Sequence, residues 1–177
     1  MGQRHKVFVS YHHRLDQEYK DRFLRLFSGR HDILVDQSVW DGDVPENWSD
    51  ERIRQHIRDN YIRDSTVTVV LVGSETWGRK HVDWEIYSSL KDTEKNPVGG
   101  LMGIVLPTHP GGPHRYDKSH VPQRLLDNVS TGYAAMHPWS TDPDTVQDWL
   151  HQAFKRRDTH YYNRDLRTPL RRRNSTP

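Results

Sequence analysis

One acidic residue stands out because of the segment that carries it. Glu85 lies within "SETWGRKHVDWEIYSSL", residues 74–90, directly after the apolar run "STVTVVLVG". The apolar residues of this segment recur at helical spacing, which places Glu85 at the edge of the buried side of a helix. A rigidly held carboxylate there can stabilise a positive charge that develops in a substrate. An exposed acid paired with Lys80, Arg79 or His81 would give the same pattern, so the residues alone leave both interpretations open.

Other side chains suited to chemistry follow the predicted strands. Hydroxyl, imidazole, carboxylate and aromatic groups all occur where strands end. In parallel sheets, ligands bind at the carboxyl ends of the strands. We therefore predict substrate-binding roles for Ser10, Tyr11 and His12 after the first strand, Asp36 and Trp40 after the second, and Ser74, Trp77 and His81 after the third.

The sequence motifs of common nucleotide-binding, hydrolase and zinc sites are missing from the chain. There is no Gly-rich dinucleotide or P-loop motif, no G-x-S-x-G elbow and no H-E-x-x-H. Cysteine is absent, which excludes thiolate chemistry. Histidines are numerous, notably His12 with His13, and His109, His114 and His120 in one Pro/Gly-rich region. That region offers no fixed ligand geometry, so we expect solvated histidines and no metal.

The predicted elements alternate between strand and helix. Strands are predicted at 6–11, 32–36, 66–73, 98–107 and 132–139, and helices at 16–27, 48–61, 80–91 and from 142 onward. The third strand is almost continuously apolar and β-branched, as is typical of a central parallel strand. We predict an α/β, flavodoxin-like fold: a five-stranded parallel sheet of order 2-1-3-4-5 with helices on both faces. The ligand site then lies between strands 1 and 3.

Composition and charge indicate where the protein is located and how its C-terminal region behaves. Of 177 residues, 28% are charged, and no apolar run approaches the roughly 20 residues that span a bilayer. We expect a cytoplasmic protein with no membrane partner. Residues 155–177 hold eight Lys or Arg and two Asp. We predict a domain over 1–157 and a basic, flexible tail over 158–177, poorly packed from 160 onward. Contact of this tail with nucleic acid or an acidic partner is the weaker alternative.

Three stretches carry a resemblance to a known family. "KVFVSYHH", "VDQSVWDG" and "STVTVVLVGSETWGRKHVDWEI" resemble the TIR family, and more narrowly the TIR-like ThsB proteins of bacterial Thoeris anti-phage systems. The resemblance runs from about residue 5 to 107, with weaker support to 154. It implies a flavodoxin-like sheet and cleavage of NAD⁺, as a substrate rather than a cofactor, between nicotinamide and ribose. It also implies a nucleotide product that activates a separate effector, and control by self-assembly or a phage trigger.

The resemblance assigns the catalytic acid to Glu85. Nicotinamide leaves as a neutral molecule, so one carboxylate beside the oxocarbenium-like ribose can suffice. Trp84 is then a wall of the site or a core anchor. Many TIR enzymes have an aromatic residue, often Trp, where this chain has His81, which puts substrate orientation and product identity in question. The alternative function is a non-catalytic interaction module in which the loop 36–48 and the edge of the sheet mediate assembly. A receiver domain of the same fold is a weaker option, because it needs acidic residues at the ends of strands 1 and 3 that this chain does not have there.

Overall fold

The computed structural model describes residues 3–34, 38–40 and 42–176. The strands are β1 (Lys6–Ser10), β2 (Asp32–Leu34), β3 (Val67–Val72), β4 (Gly100–Val105) and β5 (Ala134–Pro138). The helices are α1 (Gln17–Phe27), α2 (Asp50–Asn60), α3 (Lys80–Ser89), α4 (Gln123–Ser130) and α5 (Pro143–Thr159). Short 3₁₀ turns occur at Thr76–Gly78, Lys118–His120 and Tyr161–Asn163.

The sheet has the predicted topology. Its strand order is β2-β1-β3-β4-β5, and every neighbouring pair is parallel. The register pairs Val9 with Val69 between β1 and β3. The flavodoxin-like α/β fold expected from the sequence is therefore confirmed. The chain leaves β1 toward β2 and leaves β3 toward β4, so the carboxyl ends of β1 and β3 form the switch point where such folds bind ligands.

Both faces of the sheet are covered by apolar helix faces. Side chains alternate across β3, so that Val69 and Leu71 meet α1 and α5, whereas Val70 and Val72 meet α3 and α4. A third cluster packs α2 against Phe8 of β1. Each fully buried aliphatic side chain contributes about 1.5–3 kcal/mol through burial. This three-layer packing holds α3 firmly beside the switch point.

Helix α4 was not predicted from the sequence. Its inward face is mixed: Arg124 and Asn128 are buried alongside Leu125, and Leu126 and Val129 pack against the same apolar cluster. The Arg124 Nε donates to Asp83 Oδ1 of α3 at 2.8 Å, and the Asn128 side-chain amide donates to the Asp165 carbonyl at 3.0 Å. The helix has only eight residues, fewer than the roughly 11–18 over which an apolar period can be recognised, and its buried polar residues look like an exposed face in the sequence.

The C-terminal segment also differs from the expected poorly packed tail. Leu170 is only 6% exposed and belongs to the apolar cluster that contains Trp84. The Asp165 amide donates to Asn128 Oδ1 at 2.9 Å, and Arg172 pairs with Asp50. The segment packs mainly through backbone and charged groups, which leave no apolar pattern in the sequence. Within the described ranges, no helix has the length and apolar character needed to cross a membrane.

Candidate functional site

Glu85 lies at the switch point between β1 and β3. Its side chain is fully buried and is held by two other chain segments. The Ser10 hydroxyl, at the end of β1, donates to Glu85 Oε2, and the Val39 backbone N–H donates to Oε1 at 2.8 Å. The exposed-acid interpretation is therefore wrong, and the acid is more deeply placed than the expected edge of the buried stripe. Apolar packing of α3 on the sheet brings the carboxyl to the strand ends.

Burial controls the ionisation of this acid. It raises the pKa of Glu85 from 4.5 to about 8, and the hydrogen bonds from Ser10 and Val39 oppose this only in part. A carboxylate removed from water loses hydration that two hydrogen bonds do not fully replace. At neutral pH, Glu85 in this enclosed geometry is therefore mostly protonated and neutral.

A cleft of about 510 Å³ opens near this acid. It is lined by His12, His13, Arg14, Leu15, Trp40, Glu75, Arg79, His81 and Thr176. His81 precedes Glu85 by one helical turn, so this wall of the cleft and the acid share a helix face. Trp40 is 59% exposed and Leu15 is 41% exposed. The cleft therefore presents apolar surface to solvent at its opening, as ligand sites commonly do.

Stacked rings form one wall of the cleft. The His13 ring centroid lies 4.4 Å from that of Trp40 and 4.5 Å from that of His81, with only 28° between the two imidazole planes. The Tyr11 ring lies 4.8 Å from His13 on another side, and His81 Nε2 lies 3.1 Å from the Tyr11 carbonyl oxygen. His13 and His81 are nearly covered by these neighbours, so the exposed ring of Trp40 is the surface on which a planar heterocycle can stack.

Charged groups occupy another part of the cleft. Arg14 and Arg79 outnumber Glu75, so the formal charge of its acidic and guanidinium groups is positive. His12 Nε2 lies 3.8 Å from Glu75 Oε2. Burial, followed by the charge of Arg79, lowers the pKa of His12. These groups suit the binding of an anion such as a phosphate.

The structure brings together only part of the predicted site. Ser10 contacts Glu85, and His12, Trp40 and His81 line the cleft. Tyr11 is buried, and its hydroxyl donates to Gln17 at 2.8 Å. It also lines a small cavity of about 50 Å³ that it shares with Trp40.

The other predicted binding residues lie elsewhere. Trp77 lines a separate cavity of about 250 Å³ together with Asp83 and Arg171, so the structure does not place it in the cleft. Ser74 is half-buried and is not one of the described residues that line the cleft. Asp36 lies outside the described residues, and its role stays a prediction.

Several cleft residues were given no individual role in the sequence analysis. They are His13, Arg14, Leu15, Glu75, Arg79 and Thr176. The first five directly follow β1 and β3, the strands that meet at the switch point, and this position is the signal that could have identified them. Thr176 has no such signal, because it enters the cleft from the far end of the chain.

The expectation of solvated histidines is wrong for three of those singled out. His12, His13 and His109 are 9% exposed or less, whereas His114 is exposed. An imidazole ring is planar and aromatic, so it can take the place of another aromatic ring in a packed wall. In the part of the chain that the structure describes, no group of three or more His or acidic side chains could hold a metal ion.

Trp84 is a core anchor and not a wall of the cleft. It is 2% exposed and packs in the apolar cluster with Phe8 of β1 and Ile53 of α2. Its indole N–H donates to the Arg171 carbonyl oxygen at 2.8 Å. This side chain therefore stabilises the position of the helix that carries Glu85.

The resemblance noted in the sequence is supported by comparison with known families. A family model described as "Thoeris protein ThsB, TIR-like domain" matches residues 8–109, which is more than half of the 177 residues. The matched region runs from within β1 to just beyond β4 and contains Glu85. No curated protein matches the chain. From this match and the fold, the chain belongs to the family of TIR-like domains of Thoeris ThsB proteins.

Proposed function

We propose that this protein is a Thoeris anti-phage enzyme that cleaves NAD⁺ between nicotinamide and ribose. One observation carries the proposal: Glu85 is held at the switch point by Ser10 and Val39, beside a cleft with an aromatic wall and cationic groups. The product is an ADP-ribose-derived nucleotide, cyclic or conjugated, that diffuses to a separate effector.

The cleft has the size and chemistry for a dinucleotide. Its volume of about 510 Å³ falls in the range of roughly 300–1,000 Å³ typical of small-molecule sites. The exposed ring of Trp40 supplies stacking surface for a planar base, and it is supported from behind by His13. Arg14 and Arg79 supply positive charge for the diphosphate. No metal or cofactor enters the proposed reaction.

The proposed chemistry requires one carboxylate. As the bond between ribose C1′ and nitrogen breaks, its electron pair leaves with nicotinamide, which becomes neutral. The ribosyl group develops oxocarbenium character, and the Glu85 carboxylate stabilises that charge. A water molecule or a hydroxyl of the nucleotide then bonds to C1′ and loses a proton to solvent. Where the product is cyclic, the aromatic wall reduces competition from water.

The described geometry corresponds to a resting state in this proposal. Glu85 is fully enclosed, and its raised pKa keeps it neutral at pH 7, so it cannot yet stabilise a cation. Movement of the segment containing Val39 and Trp40 would remove one hydrogen bond and admit both water and substrate. The pKa of Glu85 would then fall toward its ordinary value of 4.5. Self-assembly or a phage trigger would supply the energy for this opening.

The direct test is nicotinamide release from NAD⁺, followed by chromatography. The wild type is compared with Glu85→Gln, both dilute and at the concentrations that promote self-association. We expect release by the wild type, greater in the associated state, and almost none by the variant. A folded wild type that releases no nicotinamide in any of these states, or a variant that matches it, would reject the proposal.

A non-catalytic interaction module is the second candidate function. The enclosure of Glu85 favours it, as does the exposure of Trp40 and Leu15, at 59% and 41%. In that case Trp40→Ala would weaken self-association measured by sedimentation, while no preparation would release nicotinamide. Release by the wild type separates the two candidates.

A further inference from the structure

Helix α3 begins without a cap from its own sequence neighbours. The residue before it, Arg79, has extended backbone angles (φ −89°, ψ 121°), and its side chain makes no capping hydrogen bond. By contrast, α2 and α5 are capped locally by Ser49 and Asp142. The first N–H groups of a helix have no acceptor within the helix and need one from elsewhere. The helix that carries His81 and Glu85 therefore depends on a distant residue.

That acceptor comes from the end of the chain. Asn174 Oδ1 accepts a hydrogen bond from the Lys80 backbone N–H at 2.9 Å, across a sequence separation of 94 residues. Next to it, the Ser175 N–H donates to the Gly78 carbonyl at 2.8 Å. A Cβ at Gly78 would collide with the Ser175 carbonyl oxygen. Glycine at position 78 thus permits the close approach that brings Asn174 to the helix.

Further contacts fasten the same segment, residues 170–176, which we call the strap. The Arg171 N–H donates to Asp83 Oδ2 at 2.8 Å, and its carbonyl accepts from the Trp84 indole at 2.8 Å. Leu170 packs in the same apolar cluster as Trp84. Thus the strap contacts residues 78–84, directly before Glu85. Thr176, at its end, lines the cleft.

We propose that Asn174 is a positioning residue of the site: through the strap it caps α3 and fixes the helix that presents Glu85. This inference rests on the proposed function. Glu85 receives hydrogen bonds from Ser10 at the end of β1 and from Val39 after β2, and both require α3 to keep its position beside these segments. A frayed first turn would loosen His81 at the cleft wall and then Glu85, one turn later. The strap thereby supports a site whose other residues all lie earlier in the chain.

The test compares Asn174→Ala, which removes the acceptor, with Asn174→Asp, which keeps a side-chain oxygen there. Asn163→Ala is the matched control, because Asn163 lies in the same C-terminal region and bonds the Thr131 carbonyl, away from α3. Amide exchange is measured in peptides covering α3 and, for reference, α4. Loss of a capping side chain should make exchange in the first turns of α3 roughly five- to tenfold faster.

Turnover of NAD⁺ is measured on the same preparations. We expect Asn174→Ala to lower kcat severalfold with little change in KM, and both Asn174→Asp and Asn163→Ala to resemble the wild type. Unchanged exchange in α3, equal behaviour of the Ala and Asp variants, or a rise in kcat would overturn the proposal; a rise would mean that the strap obstructs the cleft. If the wild type releases no nicotinamide, the proposed function fails, and the exchange measurements alone still decide whether Asn174 holds α3.

Discussion

Replacing Glu85 with Gln should inactivate the protein and, at alkaline pH, also stabilise it. Gln has nearly the shape of a protonated Glu, and its carbonyl oxygen can accept the Val39 N–H that now bonds Glu85 at 2.8 Å. Its amide can donate to the Ser10 oxygen, which reverses the direction of the bond that Ser10 now donates to Glu85 but keeps the two groups paired. The substitution therefore preserves the buried hydrogen bonds and removes only the ability to ionise. At pH values where Glu85 is neutral in both states of the chain, the two proteins should have similar free energies of unfolding.

The difference in free energy of unfolding between the wild type and Glu85→Gln should grow with pH. The folded-state pKa of Glu85 is raised from 4.5 to about 8, so its contribution to stability is fully present below about pH 4.5. That contribution is lost as pH rises through about 8, because the unfolded chain releases its proton earlier. Each pKa unit corresponds to about 1.4 kcal/mol, which makes several kcal/mol an upper bound for the advantage of Gln at pH 8. Effects of other titrating groups are common to both proteins and cancel.

Urea unfolding of the wild type and Glu85→Gln at intervals from pH 4.5 to 8.5 measures this difference. Turnover of NAD⁺ by the variant should fall on the order of 10²–10³-fold, because the stabilised charge develops only in the transition state. A stability difference that does not vary with pH would refute the enclosed, neutral state of Glu85. Equal turnover in the two proteins would remove Glu85 from the mechanism.

Three further outcomes are expected. Trp40→Ala should reduce turnover or self-association with little change in Tm, since this ring is 59% exposed. A variant that is unfolded would instead identify Trp40 as a core residue. Arg79→Ala should raise KM for NAD⁺ about tenfold, which corresponds to a loss of roughly 1.4 kcal/mol of binding free energy, but should not raise KM for nicotinamide riboside, which has no diphosphate. The control is Arg63→Ala, since the Arg63 side chain is 73% exposed, and an equal rise in KM for both substrates would contradict this role of Arg79. Burial, followed by the charge of His31, lowers the pKa of His5 to about 4, so the protein should lose stability as pH falls from about 6.5 toward 4. His5→Phe should reduce that loss in acid unfolding curves, and a curve identical to the wild type would contradict this role of His5.

Much of the fold could be predicted from local patterns. The continuous β-branched run of β3 indicated a central strand, and the alternation of strands and helices indicated a parallel sheet; the structure confirms both. All four helices predicted from apolar periodicity are present. Apolar faces repeat over short stretches of chain, so a single sequence contains this information.

The candidate site could be predicted only where strand ends define it. Ser10, His12, Trp40 and His81 were expected near Glu85 because the residues after parallel strands share one edge of the sheet, and the structure places them there. Trp77 satisfied the same rule but lies in another cavity. The rule selects an edge of the sheet and does not fix the direction in which a side chain points.

The sequence by itself determined the five strands, the helices α1, α2, α3 and α5, the order of the sheet and the region of the site. Only the tertiary structure decided the enclosure of Glu85, the polar packing of α4 and the contact of Asn174 with α3. Hydrophobic burial is encoded in repeating local patterns, whereas each of these features depends on single polar contacts between distant segments, such as the 94-residue separation of Lys80 and Asn174. Such contacts depend on the packing of the apolar layers, which brings the distant segments together, and the sequence carries no local sign of them.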